Sequence, residues 1–357
     1  MDYVALGRSG LMVSRYVLGT LTFAGTDGFE RTGNVNVTGA KRMIDLALEA
    51  GVNAIDTANL YSKGGSEEVI GRAIEGRRDD VLVFSKARMP MGSGPNDSGA
   101  SRIHILPQID RSLQRLKTDR LDLYWVHAWD GITPIEETVE VMSNLVKAGK
   151  IRYWGVSNYG GWQVATTAMT AKVLGAVPPI AQQINYTPEA REAEYEIIPA
   201  AEAHGLGTMV WSPLGEGLLT GKIDRNTKAA KGTRQGSTWT EPFVIDQEKA
   251  FRVIDVLKAV AKERGVSVPQ VVLAWLRDRP GIGSIVIGAR TEEQLRDNLA
   301  SHDVTLSSDE AARIEAAGRP LAIYPYWHRA QWAMDRPSAT EKSYLQGWRK
   351  SQGMGAA

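Results

Sequence analysis

Eight short runs rich in β-branched and apolar residues, near positions 16–19, 52–55, 81–84, 121–126, 151–156, 180–184, 208–211 and 284–287, punctuate this chain. Most of the gaps between them hold segments with helical spacing: 39–50, 66–74, 103–116, 135–148, 163–174 and 189–204. Strands this apolar are buried on both faces, and strands separated by helices must run parallel, because a crossover helix returns the chain to the same end of the sheet. Eight such units are enough to close the sheet into a (β/α)8 barrel, an α/β fold, with an open doubly wound sheet as the structural rival. A chain of 357 residues ordinarily suggests two domains. A barrel, however, commonly takes about 250 residues or more as one unit. The reading is therefore a barrel over 1–317 and a C-terminal extension over 318–357.

Three segments stand outside the alternation. Residues 4–14 place Gly7, Ser9 and Gly10 between two short apolar stretches, which predicts a β-hairpin ahead of the barrel. Residues 222–245, rich in Lys, Gly, Thr and Arg, predict a long loop after the seventh strand, leading into a helix over 246–264. The tail from Arg319 carries Tyr324, Tyr326, Trp327, Trp332, Tyr344 and Trp348 in no clear period, and is expected either near the active-site rim or against the outside of the barrel. Ser66, followed by Glu67 and Glu68, reads as a helix N-cap with acids in the first turn, where they complement the helix dipole.

Composition excludes whole classes of chemistry. The absence of cysteine removes disulfides, thiolate zinc sites, iron-sulfur clusters and a cysteine nucleophile. Lys plus Arg number 42 against 41 Asp plus Glu, so nothing points to nucleic acid or an anionic membrane as partner. No basic-then-apolar N-terminal segment and no run of membrane-spanning length is present, and the chain reads as cytoplasmic. His104, His204, His302 and His328 have no evident metal-ligand partners, no H-E-x-x-H occurs, and no metal is expected. A G-x-G-x-x-G between strand and helix is also missing, which disfavours a Rossmann domain.

A polar or ionisable residue stands at or just beyond the C-terminal end of nearly every expected strand: Thr20, Asp56, Lys86, His127, Ser157 with Asn158, Gln183, Ser212 and Arg290. In an α/β barrel those ends share one rim, which is where the fold builds its active site. Each residue alone has a structural explanation, such as a cap, a rim cation or a satisfied core histidine. Together they converge.

The same residues lie in stretches that resemble the aldo-keto reductase family. GVNAIDTANLYSKGGSEEVIGRAI from Gly51 is similar to its Asp-Thr-Ala, tyrosine and Ser-Glu signature, and VFSKAR to its lysine strand. LDLYWVHAWD resembles the histidine strand, and VKAGKIRYWGVSN the Gly-Lys-Ile-Arg and Ser-Asn segment. WSPLGEGLLTGK and VIGARTEEQLRDNLA resemble the two last cofactor segments. The likeness covers about 6–317, and is nearest in motif to the branch holding bacterial aldo/keto reductases and potassium-channel β subunits.

That resemblance implies an NADPH-dependent reductase of aldehydes or ketones, with Asp56, Tyr61, Lys86 and His127 as catalytic residues. It implies cofactor contacts from Gly19, Thr20, Asp56, Ser157, Asn158, Gln183, Trp211, Ser212, Leu214, Gly217, Lys222, Arg234, Gly288, Arg290, Gln294 and Asn298. Trp211 departs from the tyrosine of many members, and Gly288 from the lysine of others, which leaves the preference for a 2′-phosphate on Arg290. Phe23, Trp129, the 222–245 loop and the aromatic tail are expected to shape a pocket for a bulky or cyclic small-molecule carbonyl.

Physical chemistry agrees with the assignment. Carbonyl reduction builds negative charge on oxygen, so the site needs a proton donor and electrostatic support there. Tyr61 is the expected donor. Lys86 would favour its phenolate, Asp56 would hold Lys86, and neutral His127 would donate a hydrogen bond. Two alternatives remain open: an NADPH-binding regulatory subunit of the channel β type, and a barrel hydrolase or lyase using Asp56 and His127.

Overall fold

The computed structural model describes residues 1–227, 229, 235–236 and 244–354. A hairpin of β1 (Tyr3–Ala5) and β2 (Met12–Ser14) opens the chain. Eight strands then follow: β3 (Tyr16–Gly19), β4 (Ala54–Asp56), β5 (Leu82–Ala87), β6 (Leu121–Val126), β7 (Ile151–Ser157), β8 (Ala181–Asn185), β9 (Gly207–Trp211) and β10 (Ile282–Gly288). They pair in parallel in sequence order, and β10 pairs with β3 to close the barrel. The open-sheet rival is thereby excluded.

Among the described residues twelve α-helices accompany the strands: α1 (Val37–Glu49), α2 (Gly65–Ala73), α3 (Arg102–Leu116), α4 (Ile135–Lys147), α5 (Gly161–Val173), α6 (Ile197–His204), α7 (Gln247–Arg264), α8 (Val268–Arg277), α9 (Glu292–Ala300), α10 (Ser308–Ala317), α11 (Tyr326–Trp332) and α12 (Ala339–Ser351). The apolar faces of α1–α5 and α7–α9 pack on the outer strand residues in one continuous core. Fully burying each Val, Leu, Ile or Met there contributes about 1.5–3 kcal/mol. Inside the barrel a second cluster gathers Val17, Ala54, Phe84, Leu123, Trp125 and Met209 with Leu6, Leu11 and Val13 of the hairpin segment. The hairpin thus plugs the end where the strands begin. Its tip needs glycine: at Gly7 (φ +64°) an added Cβ would stand 2.3 Å from the Ile180 carbonyl oxygen.

Two expectations need correction. Ser66 is not a cap. The helix begins one residue earlier behind Gly64 (φ +100°), and the Ser66 hydroxyl turns inward to the Thr57 hydroxyl (3.0 Å) and the Thr20 carbonyl (2.9 Å). The helix expected over 189–204 is only α6. Ahead of it the Thr187 hydroxyl accepts from the Ala190 N–H (2.9 Å), a local turn that competes with helix, and buried Arg191 folds onto Glu194 (2.6 Å). The tail, whose aromatics follow no clear period, contains α11 and the capped helix α12.

Helix α8, which the periodicity did not mark, is buried from 271 to 277, and residues 271–276 form a continuous apolar run that sequence spacing alone does not tell from a buried strand. The tail lies along the barrel's flank. The Tyr344 hydroxyl donates to the Pro280 carbonyl (3.0 Å), the Tyr195 hydroxyl bonds the Leu321 carbonyl, and the Arg279 guanidinium sits between the Trp275 and Tyr344 rings (4.8 and 5.3 Å). Most of the 222–245 loop lies outside the described residues. No helix among the described residues is long and apolar enough to cross a membrane.

Candidate active site

Asp56 ends β4 and Lys86 lies one residue from the end of β5; the parallel register sets Asp56 beside Phe84 and Lys86 beside Trp125. Both side chains are buried, and Lys86 Nζ forms an ion pair with Asp56 Oδ2 and donates to the Thr57 carbonyl (2.8 Å). The other carboxylate oxygen is also committed. Asp56 Oδ1 accepts from Trp125 Nε1 (3.1 Å) and from Gln183 Nε2 (3.0 Å). A buried ion pair is tolerable only when its remaining lone pairs and protons find partners, and this one has them.

Tyr61 follows β4 on a short 3-10 turn whose next residues, Ser62 and Lys63, sit at φ +50° and +48°. Left-handed backbone at two non-glycine residues is strained and concentrates where a side chain must be aimed. The phenol ring is aimed at the same point as Lys86 and His127. Lys86 Nζ is 5.2 Å from its centroid, and the His127 ring meets it edge-on at 6.1 Å and 76°. His127 follows β6, its N–H donating to the Ala87 carbonyl (2.9 Å), and its Nδ1 is buried with no hydrogen-bond partner.

Electrostatics assign a protonation state to three of these groups. Burial opposes the charge on Lys86, but the combined pull of Asp56 and Tyr61 outweighs it and the pKa is raised. Burial, reinforced by the positive charges of Lys86 and Arg88, drives His127 well below the ordinary histidine range, so the imidazole is neutral at pH 7. Tyr61 differs from expectation. Burial raises its pKa, and Asp56 cancels part of the Lys86 attraction that would have lowered it, so the phenol stays protonated.

Ser157, Asn158 and Trp211 form a second set on the same rim. Ser157 Oγ donates to the Gln183 carbonyl (2.9 Å), Asn158 Nδ2 to the His127 carbonyl (2.9 Å), and Trp211 Nε1 to Asn158 Oδ1 (3.0 Å). The indole is thus braced by the residue that braces the histidine. Beyond it, Ser212 (φ +45°) bonds Glu216 (φ +55°), while the Leu214 carbonyl accepts from Gly217 N–H (3.1 Å). Gly217 has φ +99° and open space where a side chain would stand, and Lys222 is exposed beyond it. Arg234 lies outside the described residues.

A third set gathers where β10 meets α9. Asn298 Nδ2 donates to the Gly288 carbonyl (3.2 Å), Gln294 Oε1 accepts from the Arg290 N–H (2.9 Å), and Arg290 lays its guanidinium on the carbonyls of Arg31 and Thr32. Arg42, not Arg290, takes Glu292 as its salt-bridge partner. Thr20 is buried, its hydroxyl donating to the Asp56 carbonyl (3.0 Å), and Gly19 lies against Val286, where a Cβ would come within 2.7 Å. Trp129 is half-buried beside Tyr159 and Trp162, with ring centroids 5.1 and 5.3 Å away. Phe23, expected as a pocket wall, is wholly buried and packed in the outer core, its backbone bridging Val35.

Sequence reading missed Trp125 and Arg88. Trp125 pairs in register with Gly155, where a Cβ would stand 2.6 Å from the indole ring, so the glycine makes room for the ring that donates to Asp56. A large aromatic opposite a strand glycine was the available signal.

The aldo/keto reductase family model matches residues 15–319, nearly the whole barrel. The chain belongs to the aldo/keto reductase family. It is 36% identical over 320 residues to the uncharacterized oxidoreductase YrpG of Bacillus subtilis, covering 87% of this chain and 93% of that one. It is 35% identical over 325 residues to a probable voltage-gated potassium channel subunit beta of Oryza sativa, covering 88% of this chain and 96% of that one. A protein of the same description from Arabidopsis thaliana is 35% identical over 312 residues, 85% and 92% of the two chains. Family membership and the oxidoreductase relative together place the chain among oxidoreductases.

Proposed function

We propose that the protein reduces an aldehyde or ketone to the alcohol with NADPH, Tyr61 supplying the proton. The observation that carries this reading is the meeting of the Tyr61 phenol with a fully satisfied Lys86–Asp56 pair and the neutral His127 ring. When bound, a reduced nicotinamide supplies the hydride to the carbonyl carbon.

The chain's own residues do the rest. Tyr61, protonated through neutral pH, gives its proton to the carbonyl oxygen as charge develops there. Lys86 then faces the phenolate it has helped to form, and Asp56 keeps Lys86 ionised and in place. His127 Nδ1 has no acceptor, so the neutral tautomer carries its proton on Nε2 and donates it toward the substrate oxygen.

The cofactor bed fits a dinucleotide. Trp211, braced by Asn158, offers an aromatic face for the nicotinamide. The strained backbone from Ser212 to Gly217 leaves open space above a glycine, as a pyrophosphate needs, and Lys222 stands free to meet its charge. Gly288, Arg290, Gln294 and Asn298 gather where the adenosine end would lie, and Arg290 supports NADPH over NADH.

Mixing the protein with NADPH and a panel of aliphatic, aromatic and cyclic carbonyls, and following loss of reduced-nicotinamide absorbance, tests the reading. Turnover of at least one class is expected. Tight NADPH binding with no turnover across the panel would shift the function to an NADPH-binding regulatory subunit, the two plant relatives being described as probable potassium channel subunits beta.

A further inference from the structure

Among the described residues, Arg88 is a cation without an anion, next to the proposed carbonyl site. It leaves β5 two residues after Lys86, with φ +130°, a conformation that non-glycine residues rarely adopt. The Gly99 N–H holds it there through the Arg88 carbonyl (2.8 Å). Its Nη2 donates to the Trp129 carbonyl (2.9 Å), while its Nε is buried with no hydrogen-bond partner. No carboxylate among the described residues pairs with it. The nearby Asp130 is engaged elsewhere, accepting from the N–H groups of Ala100 and Ile132 and from the N–H and hydroxyl of Thr133.

An unpartnered guanidinium donor out of contact with water is costly, and strained backbone clusters where a binding role compensates for it. Arg88 is close enough to His127 for its charge to act on the imidazole, and to Tyr159 for its charge to act on that phenol. Trp129, whose carbonyl Arg88 holds, meets the rings of Tyr159 and Trp162 with centroids 5.1 and 5.3 Å away. A planar fork of donors beside an aromatic wall matches one ligand chemistry, a carboxylate carried on an aromatic body.

We propose that Arg88 is the specificity-determining residue of this site and selects carbonyl substrates that carry a carboxylate, with Trp129 packing on their apolar part. The inference rests on the reductase reading of the same site and names its substrate class. A hydrogen-bonded ion pair in a partly buried site is worth about tenfold or more in selectivity.

The test compares 4-carboxybenzaldehyde with its neutral methyl ester, using NADPH and the wild-type, Arg88→Gln and Arg88→Lys proteins. Wild type is expected to favour the acid by about tenfold or more in kcat/KM, mainly through KM. Arg88→Gln should bring the acid-to-ester ratio near one, and Arg88→Lys should restore part of it. A wild-type ratio at or below one, or a ratio unchanged in Arg88→Gln, overturns the proposal. If wild type reduces neither of these nor any other carbonyl of the panel, the reductase reading fails on its own, and calorimetric titration with benzoate still decides on Arg88. Binding lost in Arg88→Gln would uphold the anion site; binding equal in both proteins, or none in wild type, would overturn it.

Discussion

His127 and Tyr61 are displaced in opposite directions by the same cause, removal from water, and each is thereby held in the form the proposed reaction uses. The rate of reduction should therefore be flat between about pH 6.5 and pH 10, the ordinary ranges of the two side chains. A pH profile of kcat that falls by half near either end of neutrality would contradict it. Stability carries the same signature. The imidazole binds a proton below about pH 6.5 once unfolded and cannot do so when buried, so the stabilisation is present above that pH and is lost as the solution becomes more acidic, by up to about 1.4 kcal/mol per pH unit. Urea midpoints at about pH 7.5 and pH 5.5 should differ more for wild type than for His127→Gln. His104, whose pKa burial also lowers, leaves a residual slope common to both. At this scale the sequence marked the ionisable residues that the fold brings to one rim, because each stands at or near a strand end. Trp125 and Gly155 escaped, since their meaning depends on which residue the register sets opposite, and Arg88, just past β5, because its contact with the Trp129 carbonyl lies outside any strand pairing.

Helix α2 was placed correctly although its cap was misread. Its acids do stand in the first turn, and Glu67 does more than complement the dipole: it is fully buried, accepting from Ser85 Oγ (2.5 Å) and Arg115 Nε (2.7 Å), and so clamps α2 to β5 and α3. Ser66 beside it ties the helix to Thr57 and Thr20, behind the loop that presents Tyr61. Removing one partner of a buried pair strands the other, so Glu67→Ala should cost about 3–5 kcal/mol. Chemical denaturation would measure it, and a loss below about 1 kcal/mol would show the clamp to be dispensable. The strands were legible because a run buried on both faces is short, apolar and closed by a turn. Helix α8 was not, because residues 271–276 form a continuous apolar run that could equally be a buried strand, and the 189–196 stretch was misread because a threonine turn and a buried Arg191–Glu194 pair win locally over helical spacing.

Over the whole molecule, eight parallel strands bring Asp56, Lys86, His127 and Gln183 from four different strand ends to one rim, with Tyr61 on the turn after β4. The tail contributes from outside. Its Tyr344 ring stacks on Arg279, which also covers Trp275, so Tyr344→Ala should loosen α12 and speed limited proteolysis after residue 320 while leaving the barrel folded. An unchanged cleavage pattern would show that other contacts hold the tail. Barrel and rim were readable from strand spacing and from the polar residues that end the strands, whereas the tail's helices depend on a partner surface the linear sequence does not display. The claim on which the function depends is the proton delivered by Tyr61, and its most direct test is kcat and NADPH affinity measured together for Tyr61→Phe. Turnover should fall by about 10²–10⁴ with cofactor affinity nearly intact; a variant that turns over as fast as wild type would contradict the assignment.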